Sequence, residues 1–210
     1  MARLGLKLTQ SVATIEKLAL NALVGEINAH FASSMKNILD PVRQAVRAAL
    51  RTSNTVSELS SGSKLRGALG IPKGQDVVTP IIEAVADSTF IDPKKIKLTG
   101  KRFSGGFSVN VQPDNFINLL NGSLGFTVTE KGARLPWLSW LLTRGSSVIV
   151  ADFGVRYKTG TGRSGSATMS KGTAPFMVDP VHSGTLSDNF VSRALEENAN
   201  EIVKVIMRAL

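Results

Sequence analysis

LTQSVATIEKLALNALVGEINAHFASSMKNILDPVRQAVRAAL, residues 8–50, carries the longest regular pattern in this chain. Apolar residues recur at 8, 12, 15, 19, 23, 27, 31, 35, 38, 42, 46 and 50, always three or four apart. That spacing lays them in one stripe along an α-helix and fits neither face of a strand. Gly25 and the pair Asp40-Pro41 are its weak points. Pro41 lacks a backbone donor and disfavours helical geometry at Asp40, so the pattern predicts two helices or one kinked helix. In the two-helix case Asp40 caps the second, with Pro41 at its first position. Helix of this length is hard to cover within a 210-residue chain. Two placements follow: a long core helix, or an arm that packs on a neighbouring copy.

Toward the C-terminus, TSNTVSELSSGS (52–63) reads as a polar linker and KLRGALGI (64–71) as a short helical turn ending at Gly70. The next helix has Thr79 as N-cap and Pro80 in its first turn, with Ile81, Ile82 and Val85 facing inward. Then the pattern shortens. IKLTGKRF (96–103), FSVNVQ (107–112) and LGFTVTE (124–130) read as strands, with NFINLL (115–120) as a short helix between two of them. LPWLSWLL (135–142) is another short helix, with Pro136 at its first turn. On it Trp137 and Trp140 lie on one side, either as core or as an interface anchor. SSVIVADFGVRY (146–157) is the strongest strand pattern, with a bulge expected at Asp152. A return strand near 166–171 would complete a long hairpin, and FMV (176–178) would extend the sheet. The last helix starts near Ser187-Asp188 and buries Phe190, Ala194, Leu195, Ile202, Ile206 and Leu210. The order predicts an α+β fold: long N-terminal helices, a mostly antiparallel sheet with a long hairpin, and a C-terminal helix. Residues 1–51 form a helical arm and 52–210 an α+β domain.

The formal net charge is +9. Residues 1–60 carry seven basic and four acidic side chains, 61–112 eight and four, 113–186 seven and four, and 187–210 three and four. The excess is spread over most of the chain, which suits long-range attraction to a polyanion better than one recognition patch. With no cysteine, disulfide frameworks and Cys-based metal sites or nucleophiles are excluded. No run is long and apolar enough to read as a membrane span or signal peptide.

YKTGTGRSGSATMSKG (157–172) is the most enzyme-like stretch. Gly160 and Gly165 have P-loop spacing, but Ser166 stands where the phosphate-binding lysine belongs and no helical period follows. What remains is a hairpin tip. From Phe153 to Val178 it carries Arg156, Lys158, Arg163 and Lys171 and no carboxylate, which suits non-specific phosphate contact. Asp179, His182 and Ser183 are near neighbours in sequence, yet a triad needs a particular fold around it, and no nucleophile elbow is present. The chain is therefore read as a non-enzyme without cofactor or metal site.

DPVRQAVRAALRTSNTVSELSSGSKLRGALGI (40–71) offers an amphipathic helix, a polar linker, Gly62, then Leu65-Arg66 with Leu69 and Ile71 after them. DNFVSRALEENANEIVKVIMRAL (188–210) closes the chain with Phe190, Ala194-Leu195 and a terminal helix. In these stretches, and in the order of elements between them, the sequence resembles the tail-completion (neck, or head–tail joining) proteins of tailed bacteriophages. It departs from them in its apolar N-terminal arm and in residues 72–101, and the tail-terminator subunits that cap the tail tube are the nearest alternative. The resemblance implies a structural virion protein, assembled in the host cytoplasm. It implies a homo-oligomeric ring that meets the portal-side connector and the tail tube or terminator, touches genomic DNA in passing, and binds no membrane. On that reading Arg156, Lys158, Arg163 and Lys171 face the DNA channel. Trp137, Trp140, Leu65, Arg66 and Phe190 form interfaces. A free, non-specific nucleic-acid-binding protein is the alternative of a different class.

Overall fold

The computed structural model describes residues 10–60, 62–111, 114–172 and 174–209. Leu8, Gln112 and Leu210, used by the sequence pattern, lie outside them. A single helix, α1 (Val12–Thr52), runs through both weak points of the N-terminal stretch. Ser11 caps it, its hydroxyl accepting from the Thr14 amide at 3.2 Å. Pro41 is interior to the helix rather than at the start of a second one, and Asp40 is not a cap. An interior proline costs roughly 3 kcal/mol. Val42, Val46 and Leu50, on the turns that follow, are fully buried, and each contributes about 1.5–3 kcal/mol, so burial outweighs the lost bond.

At a rise of 1.5 Å per residue, α1 is about 60 Å long, and its stripe passes through three environments. Its positions Val12, Ile15 and Leu23 are exposed, Val12 by 78%, as is Leu18 beside them. Ile27 and Phe31 are half-covered. Ile38, Val42, Val46 and Leu50 lie in the core. The helix is thus a core helix over its second half and projects beyond the core over its first.

Residues 52–63 are not a linker. They contain α2 (Asn54–Ser60), which buries Thr55, Val56 and Leu59. The expected short helix is α3 (Lys64–Ala68), capped by Ser63, and the chain turns after it at Gly70 with φ +66°. In α4 (Val78–Asp87), Ile81, Ile82 and Val85 are buried as expected. Its start differs: Val77, not Thr79, stands at the N-cap without a side-chain bond, and the carboxylate of Asp76 before it accepts from the amides of Val78 at 3.0 Å and Thr79 at 3.1 Å.

The strands form three separate two-stranded antiparallel ladders instead of one sheet. The longest joins β1 (Thr89–Thr99) to β2 (Arg102–Val111). After α5 (Asp114–Asn121) come β3 (Thr127–Val128) and β4 (Arg134–Leu135), then α6 (Trp137–Thr143). The third ladder pairs β5 (Phe153–Tyr157) with β6 (Ala167–Lys171). The pattern at 146–157 is strand only from Phe153 onward, and Val150 makes a single bridge to Phe176. The terminal helix is two: α7 (Phe190–Glu197) and α8 (Ala199–Ala209). Its start is Asn189, which forms a capping box with Ser192.

The core gathers the second half of α1 with α4, α6, α7 and α8, and continues into α2 and α3. Leu50, Val56, Leu59 and Leu65 belong to one buried cluster, so packing runs across the expected boundary at residue 51. Arg47 ties α1 to α4 through Glu83 at 2.8 Å and Asp87 at 3.3 Å.

Candidate nucleic-acid interface

The structure does not gather the four cations of the 153–178 hairpin on one surface. Strand pairing sets Phe153 opposite Lys171 and Arg156 opposite Thr168, so Arg156 and Lys171 occupy opposite faces of the ladder. Arg156, Lys158 and Lys171 are exposed. Arg163 is half-buried, and its guanidinium donates to the Val128 carbonyl and, at 3.3 Å, to Thr127 Oγ1. Its own carbonyl accepts from the Lys73 amide at 3.0 Å. The glycine-rich tip closes on itself: Gly160 N donates to Gly165 O at 2.8 Å, and Lys158 N to Ser166 O at 2.9 Å. The amides of Lys158, Gly160, Thr161 and Gly165 are thus engaged in the turn rather than presented to a phosphate.

The five expected interface residues are core residues. Trp137, Trp140, Leu65 and Phe190 are buried within the subunit, and Trp140 packs edge-on against Phe176 with centroids 5.7 Å apart. Arg66 is 7% exposed. Its guanidinium donates to the carbonyls of Leu59 at 2.8 Å, Pro72 at 2.7 Å and Gln75. Burial pulls it below the usual arginine range, and Asp76 opposes that shift. The fork of donors thus knots α2, α3 and the loop before α4 together instead of reaching a neighbour. A cleft of about 530 Å³ lies beside it, lined by Lys73, Gln75, Asp76 and Thr79. The Asp76 carboxylate already occupies the α4 N-terminus there, leaving little for a second anion to bind.

Asp179, His182 and Ser183 do not form a relay. His182 Nδ1 is 3.1 Å from Thr55 Oγ1, and the Ser183 hydroxyl is buried with no hydrogen-bond partner among the described residues. No group of three His, Cys, Asp or Glu side chains suited to a metal ion occurs among the described residues. Nor is any described helix long and apolar enough to cross a membrane.

The densest cation cluster lies where the sequence reading saw only a strand. KKIKLTGKR, residues 94–102, holds Lys94, Lys95, Lys97, Lys101 and Arg102 without a carboxylate. All five are exposed at the end of the β1–β2 hairpin. Lys94 pairs with Gly106 and Lys97 with Ser104, so β1 advances three residues while β2 advances two, a one-residue bulge. The bulge lets Ile91 and Ile96, five apart, share the face that rests on α1. Phe107 on that face meets Phe31 at 6.3 Å between centroids. Lys94, Lys97 and Arg102 share the opposite face. Counting charge in a nine-residue window would have found this cluster; reading the segment for strand alternation hid it.

The hairpin is braced on α1. Asn28 Nδ2 donates to the Ile96 carbonyl and Ile96 N donates to Asn28 Oδ1, each at 2.9 Å. Near the turn, Lys101 pairs with Glu16 at 2.8 Å. Among the described residues Lys94, Lys95, Lys97 and Arg102 form no ion pair.

Comparison of the chain with protein-family models, with curated proteins and with solved structures finds no match.

Proposed function

We propose that this chain is a structural virion protein of a tailed bacteriophage, one subunit of a homo-oligomeric neck ring that joins the head connector to the tail and surrounds the DNA channel. The observation that carries the reading is the projecting half of α1, where Val12, Ile15 and Leu23 extend the apolar stripe past the subunit's own core and Leu18 is exposed beside it. Those side chains can be covered by the next subunit in a head-to-tail contact, which closes into a ring when the rotation permits. The resemblance over residues 40–71 and 188–210 supports the same reading. So does the spread of positive charge, which a ring multiplies around a duplex.

The test is assembly. Native mass measurement of the full chain, alone and co-expressed with connector and tail proteins encoded by neighbouring genes, should show rings or joined connector–tail complexes. Replacing Val12, Ile15, Leu18 and Leu23 together by serine should abolish assembly while leaving the thermal midpoint of the subunit nearly unchanged. A wild-type chain that remains monomeric and joins neither partner would refute the proposal, as would a serine variant that assembles normally.

A further inference from the structure

We infer that the end of the β1–β2 hairpin is a docking surface for the phosphate backbone of double-stranded DNA, separate from the β5–β6 hairpin. The inference rests on the placement of these cations and stands whether or not the chain assembles into a neck ring. Lys94, Lys97 and Arg102 project from one face, Lys95 stands on the bulge beside them, and none of the four is neutralised by a described carboxylate. Asp92 is the only acid in the two strands; it is exposed on the same face as Lys94, two residues farther from the turn, and forms no ion pair with it. Like charges held this close repel one another, so the arrangement is stabilised by an extended polyanion laid across it.

Three features favour duplex DNA over other anionic partners. The turn, Thr99-Gly100-Lys101-Arg102, has no apolar side chain to insert into a bilayer, whereas surface-bound membrane elements combine cations with buried apolar area. Phe103 lies on the α1-facing side, paired with Leu98, and Phe90, which shares the face of Lys94, sits at the end of the ladder far from the turn, so the cationic end of the hairpin offers no aromatic platform for unstacked bases. A two-stranded ribbon fits the major groove of B-form DNA, about 12 Å wide, where lysine and arginine reach the flanking phosphates. These cations are assigned to the flanking phosphates, contacts that carry no sequence information, so binding is expected to be independent of sequence.

The bracing gives the surface its shape. Asn28 satisfies the amide and carbonyl of Ile96 in the bulge, and Lys101 anchors the turn to Glu16. The cations are therefore held out on a stiffened ribbon.

The test uses the isolated full-length chain and a fluorescent duplex of about 30 base pairs, titrated by anisotropy across a salt series. Lys94→Ala, Lys95→Ala, Lys97→Ala and Arg102→Ala together should weaken binding at low salt by at least about tenfold and make the log–log salt slope shallower by about 3. The triple variant Arg156→Ala, Lys158→Ala, Lys171→Ala should stay within about threefold of wild type, and Arg102→Lys alone should bind nearly as wild type. Because the replaced side chains are exposed, circular dichroism should show unchanged folding; Lys94→Glu with Lys95→Glu supplies a second variant if it does not. The proposal fails if wild type does not bind the duplex, or if the quadruple variant binds as wild type. It fails also if the β5–β6 variant carries the loss, or if phosphatidylserine vesicles bind more tightly than DNA through the same lysines. Ring assembly is measured separately, so failure of one leaves the other standing.

Discussion

Asn28 on α1 and Ile96 in β1, 68 residues apart, exchange two hydrogen bonds of 2.9 Å. Ile96 falls in the bulge and has no cross-strand partner in the ladder. Its amide and carbonyl would otherwise be left partly buried and unsatisfied, and one asparagine side chain supplies both the donor and the acceptor they need. Replacing Asn28 by leucine should cost about 1–3 kcal/mol. It should also accelerate hydrogen exchange at the Ile96 amide far more than at amides of α4. Asn28→Asp, which keeps the acceptor and loses the donor, should fall between the two. Unchanged exchange at Ile96 in the leucine variant would mean that the hairpin holds its place without this clamp.

Arg66 presents a different dependence on polar satisfaction. Its guanidinium serves three carbonyls, one on α2 and two in the loop before α4. Arg66→Met should destabilise by about 3 kcal/mol, because the carbonyls lose their donors in a buried site. Arg66→Lys should recover little, since a single ammonium cannot span the same three acceptors. Chemical denaturation of both variants distinguishes this from an interface role, for which stability of the isolated subunit would not change.

Asp76 supplies a pH dependence. Hydrogen bonds from Thr79, first its hydroxyl and then its amide, hold the carboxyl below its usual range. A group depressed in the folded state stabilises fully above its unfolded pKa and loses that contribution as pH falls through the folded value. The loss therefore falls on the acid side of pH 4 or so, where free aspartate titrates. Asp76 is exposed, so the effect is small, at most about 1 kcal/mol in line with other helix caps. Melting curves from neutral pH to pH 3 should converge for wild type and Asp76→Ala at the acid end.

Two glycines should respond with opposite signs to alanine. Gly25 lies inside α1, with nothing within 4 Å of the added methyl, so Gly25→Ala should stabilise by about 0.5–1 kcal/mol. Gly105 sits opposite the bulge at φ +128°, where a Cβ would stand 2.5 Å from the Lys95 carbonyl oxygen. Gly105→Ala should destabilise by more than about 1 kcal/mol and loosen the hairpin that carries the lysines. A thermal midpoint for Gly105→Ala equal to wild type would show that the bulge can relax around the methyl.

Much of the helical framework was legible because its signals are local. The stripe from Val12 to Leu50 required only a period, and Ile81, Ile82 and Val85 needed only their spacing after a turn signal. The α+β order followed from the change of period after α4. Boundaries that depend on one or two hydrogen bonds were less legible: Asp76, ahead of the cap position, binds the first amides of α4 in place of Thr79, and Asn189 replaced Ser187-Asp188 at α7. Segment 52–63 misled because Ser and Thr dominate its composition while Val56 and Leu59 do the packing.

The linear chain by itself determined that α1 would be one amphipathic surface and that positive charge would be widespread, since periodicity and charge are properties of neighbours in sequence. Only the tertiary structure decided which part of that surface is covered and which of the clustered cations share a face. Coverage of α1 ends where α4, α7, α8 and the β1–β2 hairpin end, a matter of long-range packing. The tryptophans went inward because distant segments such as that of Phe176 closed over them, and Arg66 because nearby stretches of chain folded their carbonyls onto it. Lys94, Lys97 and Arg102 reached a common face because a one-residue bulge shifted the strand register, an event that no count of residues along the chain could reveal.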